Sequence, residues 1–160
     1  MKRFSIFIVL FLTPFILNAV ISPVTPDLLE DPSPRQELPS SNKSLEMNVI
    51  EPDLEQSALK IKLSIKNTGD SIFGYGEFFY VEKKVDGKWY MLTLDDSVFK
   101  NFSAFDNYGK AIPPDETRTI KISLSDYSLN LDSGEYRLVK AFRYHDDTKV
   151  FWLTDEFKVV

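Results

Sequence analysis

The chain has 160 residues, 43% of them hydrophobic and 27% charged, which is room for one ordinary folded domain. Its net charge of -5 argues against non-specific nucleic-acid binding, which needs a cationic field to displace counterions, and against adhesion to anionic lipid by charge. The absence of cysteine excludes disulfides, thiolate nucleophiles, cysteine-held zinc or iron–sulfur groups, and a lipid-modified N-terminal cysteine.

At the N-terminus Lys2 and Arg3 precede an apolar stretch from Phe4 to Leu17, and Ala19 supplies a small residue at a cleavage point. This is the order of a secretory signal peptide over residues 1–19. The alternative is an uncleaved anchor reaching to about residue 21, close to the shortest apolar run that crosses a bilayer, although Pro14 and Asn18 weaken it. Residues 20–44 hold five prolines, five serines and four acidic residues, a composition that biases the chain towards extended conformations. They are expected to be a flexible linker, with a structured extension packed on the domain as the alternative, so that the folded unit runs over 45–160.

From Leu45 onward the pattern is of strands between turn signals. Leu45, Met47 and Val49 alternate with Glu46 and Asn48; Leu59, Ile61, Leu63 and Ile65 alternate with Lys60, Lys62, Ser64 and Lys66. A period of two gives one buried and one wet face, whereas a helix would scatter these lysines into the core. "NTGDS" at 67–71 ends the second strand with turn formers.

In "GEFFYVEKKVDGKWYMLTL" the pair Asp86-Gly87 suits the two positive φ angles of a type I′ hairpin, setting Val85 opposite Lys88, Lys84 opposite Trp89 and Val81 opposite Leu92. Phe79, Val81, Val85, Tyr90 and Leu92 then share one face, and Phe78, Tyr80, Trp89 and Met91 the other. Both are apolar, so periodicity leaves the inward one open. Residues 95–115 are irregular, with a candidate short edge strand in "SVFKNFSAF". "IPPDET" is a tight turn leading to a strand with Ile120, Ile122 and Leu124 on one face. "GEYRLVKAFRY" and "KVFWLTDEFKVV" form a last hairpin turning near His145-Asp146-Asp147. Seven or eight short antiparallel strands without a useful helix describe an all-β, two-layer sandwich.

Four blocks carry a family resemblance: Tyr75-Gly76-Glu77, Lys83 to Tyr90, Pro114 to Thr117, and Gly134 to Arg137. With them, the chain from about residue 45 to its end resembles bacterial immunoglobulin-like domains of exported Gram-positive proteins. The resemblance implies an immunoglobulin-like sandwich and a module without catalytic activity of its own. It makes Tyr136 the candidate tyrosine-corner residue, an ordinary core or rim tyrosine being the alternative. It also sets Leu138 where disulfide-linked immunoglobulins carry cysteine, opposite Leu63 or Ile65. The lost staple is worth about 2–4 kcal/mol, and burial of a leucine offsets about 1.5–3 kcal/mol of that. Continued alternation points Lys140 inward, where a lone ammonium is costly. Three escapes are open to it: a wet edge, a pair with Glu77 or Glu82, or a β-bulge.

Chemistry-bearing constellations are sparse. His145 is the single histidine and stands in a turn without a nucleophile elbow, a phosphate loop or a second histidine at metal-ligand spacing. Neither catalytic nor cofactor-binding residues are therefore assigned. Asp70, Asp146 and Asp147 would meet at one end of the sandwich, a weak calcium pattern, and Asp95-Asp96 has the composition of a solvated turn. That end also carries Phe73, Tyr75 and Tyr144, aromatics suited to contact a ligand unless they cap the core. The expected partners are an envelope protein or cell-wall glycan, no nucleic acid, and a membrane only through an uncleaved N-terminal segment. Two functions follow: an exported, non-catalytic interaction module at the bacterial cell envelope, or an assembly domain acting through its edge strands. Burial of the loop aromatics beside an uncovered, regular edge would favour the second. An enzyme is a weak third reading.

Overall fold

In the computed structural model of the protein, the structure describes residues 26–56, 60–94 and 108–160. The expected leader, Leu59, the Asp95-Asp96 pair and the edge strand sought in 97–105 lie outside them. Among the described residues ten strands form, in chain order. They are β1 (Ser41–Asn42), β2 (Leu45–Val49), β3 (Asp53–Leu54), β4 (Lys60–Asn67), β5 (Phe73–Val85), β6 (Lys88–Met91), β7 (Lys110–Ile112), β8 (Thr117–Ser123), β9 (Gly134–Tyr144) and β10 (Val150–Val159). A 3-10 turn, Leu124–Tyr127, follows β8.

The strands make two sheets. One is four-stranded in the order β1-β2-β4-β8; the other is six-stranded in the order β3-β10-β9-β5-β6, with β7 paired to the start of β5. The count exceeds the expected seven or eight because β1, β3 and β7 are two- or three-residue strands, too short to leave a periodic trace. Nor is every pairing antiparallel. β3 runs parallel to β10, Lys158 opposite Asp53, because it approaches that edge after crossing over from the other sheet.

Alternation positions the core. Ile61, Leu63 and Ile65 of β4 are fully buried together with Leu45 and Met47 of β2, and they face Val81, Leu138, Phe142, Leu153 and Phe157 of the other layer in one continuous cluster. The β5–β6 hairpin turns through Asp86 at φ 49° and Gly87 at φ 77°, with Val85 opposite Lys88 and Lys84 opposite Trp89. Its inward face is the one bearing Phe79, Val81 and Leu92. Asn67 closes β4: its amide donates to the carbonyls of Ser71 at 2.7 Å and Ile112 at 3.1 Å, and its Oδ1 accepts from the Gly69 N–H at 3.0 Å. A buried amide is stable there because each of these bonds replaces water.

The composition of residues 20–44 suggests a flexible linker, but its described part, from Pro26, packs on the domain. Leu28 bridges Leu92, the N–H groups of Leu29 and Ser33 donate to Met91 and Trp89, and the Thr93 N–H donates to the Asp27 carbonyl. The segment then crosses the sheet, and at its far edge the Pro39 carbonyl accepts from the Thr154 N–H at 2.9 Å. Proline excludes this stretch from an ordinary ladder, yet its carbonyls and intervening N–H groups still pair. The strap covers the outer edge of β6 and part of that of β10, edges that would otherwise offer unpaired backbone to other chains.

Candidate functional site

At the end of the sandwich near the β9–β10 turn, the aromatics expected to contact a ligand are largely enclosed. Phe73 is 1% exposed and Tyr75 7%, while Tyr144 is half-buried. Phe73 stacks on Tyr144 with ring centroids 4.9 Å apart and meets Phe151 edge-on at 5.8 Å; the Lys43 ammonium lies 4.5 Å above the Tyr144 ring. These residues cap the core because Phe73, Tyr75 and Tyr144 share the inward face of β5 and β9, Phe73 directly opposite Tyr144. His145 is exposed beside them and its N–H donates to the Ile72 carbonyl. Asp147 accepts from the Lys149 N–H within the same turn. Among the described residues no three His, Asp or Glu side chains gather in a way that would hold a metal ion.

Lys140 does point inward and is 2% exposed. The β5–β9 register shifts between Tyr75 and Phe79, so that residues 76–78 bulge opposite Ala141. The bulge turns two carbonyls to the ammonium: Lys140 Nζ donates to Gly76 at 2.7 Å and to Phe78 at 3.1 Å, with the Tyr75 ring 5.5 Å away. Burial, and secondarily Lys110, lowers its pKa to about 7, with Glu77 pulling the other way. Glu77 itself pairs with Lys110 and Glu82 with Arg137, so neither carboxylate reaches Lys140. Leu138 is fully buried, opposite Val81 and Asp155. The Tyr136 hydroxyl donates back to the Asp132 carbonyl at 2.8 Å and lies as close to that residue's carboxylate, which Lys83 also holds, the geometry of a tyrosine corner. Burial and Asp132 push the phenol up, and hydrogen bonds from Lys83 and Tyr136 hold the Asp132 carboxyl below its usual range.

On the outer face of the six-stranded sheet lies an ion pair that sequence reasoning missed. Glu82 and Arg137 sit opposite each other on β5 and β9, almost fully buried. The Arg137 guanidinium donates to the carbonyls of Gln36 and Arg35, each at 2.7 Å, and lies 4.7 Å from the Trp89 ring. The Gln36 side chain in turn accepts from the Trp89 N–H and donates to its carbonyl. The strap is thereby the lid over this pair. Only the wet positions of the strand pattern flagged these residues, and nothing local indicated that a proline-rich segment would cover them.

Among the described residues, two surfaces of the other layer are left uncovered. β8 ends the four-stranded sheet, pairing with β4 along one edge; among the described residues no strand pairs with its other edge. The outer face of β4 and β8 carries Lys60, Lys62, Lys66 and Lys121, with Lys62 directly opposite Lys121.

No curated protein matches the chain. Among solved structures, a β-glucosidase from Erythrobacter marinus is similar over 73% of the chain and 15% of its own, at 12% identity and a TM-score of 0.32. The chain thus spans a small fraction of that enzyme, and the likeness is too slight to bear on fold or activity. Residues 41–158, by contrast, match the family described as Bacterial Ig-like domain, whose members are typically non-catalytic binding or structural modules. The two packed sheets, the shared core and the match over most of its length place the chain in the bacterial Ig-like domain family.

Proposed function

We propose that this protein is an exported interaction module of the bacterial cell envelope, working through the surfaces of its sheets and not through loop aromatics. The observation that carries the reading is the lysine-bearing outer face of β4 and β8, since the enclosure of Phe73 and Tyr75 removes the loop aromatics as its contact surface. The order of Lys2, Arg3, the apolar run to Leu17 and Ala19 supports export. Fractionation of cells expressing the full chain tests it: protein in the extracytoplasmic or membrane fraction, cleaved by protease added to cells stripped of their wall, is the expected result. Protein confined to the cytosol would overturn it.

A second reading, assembly through an edge strand, is favoured by the enclosed loop aromatics and by β8. It has seven residues in regular conformation and an open edge among the described residues, whereas the strap covers much of the outer layer's margin. Strand addition at such an edge gives main-chain hydrogen bonds to a partner. Lys121 and Arg118 on the same strand oppose self-pairing by charge, which ranks this reading second. Sedimentation across a wide concentration range distinguishes it: a concentration-dependent dimer would put assembly first.

A further inference from the structure

The outer face of the four-stranded sheet is cationic in a chain of net charge -5. Lys60, Lys62 and Lys66 stand at alternate positions of β4, with Lys121 across from Lys62 on β8. Glu51 answers Lys62 at 2.5 Å, and Glu46 of β2 is paired in register with Lys66. Among the described residues, no ion pair within 4.0 Å reaches Lys60, Lys66 or Lys121. Like charges directly opposite on neighbouring strands destabilise a sheet, and a Ser or Thr at position 121 would remove the opposition without touching the core. Between the lysines β4 and β8 present hydroxyls on this face, Ser64, Thr117, Thr119 and Ser123, and β2 adds the Asn48 amide opposite Ser64. Both kinds of group donate hydrogen bonds to anionic oxygen.

We propose that this face binds a linear polyol-phosphate polymer of the envelope. Alternate residues of a strand place their side chains about 6.6 Å apart, an interval close to the charge repeat of an extended three-carbon polyol phosphate. An extended polymer can lie along β4, its phosphates meeting Lys60, Lys62 and Lys66 in turn, with Lys121 reaching it from the side. An anionic bilayer fits less well, since surface-bound segments couple basic residues with several apolar side chains that insert, and of the exposed large apolar residues described only Ile50, whose N–H donates to the Lys62 carbonyl, stands beside this face. Single-stranded nucleic acid fits less well too, because its binding draws on aromatic platforms for the bases. The inference rests on the envelope reading only for where the polymer would be met.

Titration of the full chain with synthetic poly(glycerol phosphate), followed by calorimetry, tests it. Binding is expected to weaken roughly 50-fold between about 50 and about 200 mM salt, as release of counterions by some four charges requires. The double variant Lys66→Ser, Lys121→Ser should bind about tenfold more weakly with about half the salt slope, while its melting temperature stays level or rises because the Lys62–Lys121 opposition is gone. No binding at low salt, binding unchanged in the double variant, or tighter lysine-dependent binding to an oligonucleotide or to phosphatidylglycerol vesicles would each overturn the proposal. Those outcomes leave export intact; a cytosolic location would remove the envelope reading while leaving the measured affinity standing.

Discussion

The Lys140 ammonium donates a 2.7 Å hydrogen bond to the Gly76 carbonyl across a bulge of the neighbouring strand. A charged side chain thereby sits within the core layer without a carboxylate. Two carbonyl dipoles and the face of Tyr75 replace part of the water it has lost, and burial still lowers its pKa to about 7. The bulge and the lysine are mutually dependent: a regular ladder would direct these carbonyls into backbone pairing, and an apolar side chain would leave them without a donor.

This relationship predicts a pH dependence. In the unfolded chain the amine holds its proton to about 10.5, and in the fold it releases it near 7. Between those values the unfolded state binds more protons, so the Lys140 contribution to stability rises with pH, by at most about 1.4 kcal/mol per unit. Below about 7 the full penalty for the buried charge is present. Urea unfolding of the wild type and Lys140→Met at pH 7 and pH 9.5 should show the gap moving in favour of the wild type. A gap independent of pH would refute a buried, titrating Lys140.

Breaking the pair under the strap should be among the most destabilising single changes in the protein. Arg137→Met leaves Glu82 charged and buried and removes the donors serving the Arg35 and Gln36 carbonyls, a loss of about 3–5 kcal/mol. The double change Glu82→Leu, Arg137→Met should recover part of this. Trp89 fluorescence should also change in the single variant, because the guanidinium over its ring is gone.

Gln36→Ala isolates the strap. It deletes the side-chain bonds to both backbone groups of Trp89 and should cost about 1–2 kcal/mol. Hydrogen exchange gives the sharper readout: the Trp89 amide should lose protection before those of β4 do. Unaltered exchange at Trp89 would mean that the strap does not hold this edge in solution.

At the corner, Tyr136→Phe removes the bond to the Asp132 carbonyl and should cost about 0.5–1.5 kcal/mol. The Asp132 carboxylate, held below its usual range by Lys83 and Tyr136, contributes stability above its unfolded pKa and loses it as pH falls through the depressed folded value. Acid unfolding of Asp132→Asn should therefore lack that part of the low-pH limb, which equilibrium denaturation between about pH 5 and pH 2 would reveal.

Much of the architecture was legible because its causes are local. The alternation of Ile61, Leu63 and Ile65 with lysines needs only the two-residue period of a strand, and the hairpin at Asp86-Gly87 needs only positive φ. The loop aromatics were legible as a cluster but not as buried or exposed, because that depends on which strand lies opposite. Phe73 faces Tyr144, so the cluster closes on itself. The linker composition was misleading for a related reason: prolines argue against a regular strand, but not against a strap whose carbonyls are used by Arg137 and Thr154.

By itself the sequence determined an all-β chain, the inward faces of β2, β4 and β8, and the side of β9 that Lys140 shares with Tyr136 and Leu138, since all of these follow from side-chain period and turn chemistry. The tertiary structure decided what Lys140 would meet there, which hairpin face is buried, and which strand ends each sheet among the described residues. Those outcomes depend on contacts between distant segments: Gly76 with Lys140, Gln36 with Trp89, Pro39 with Thr154. No local pattern specifies which remote backbone group will satisfy a buried donor; the packed sheets do.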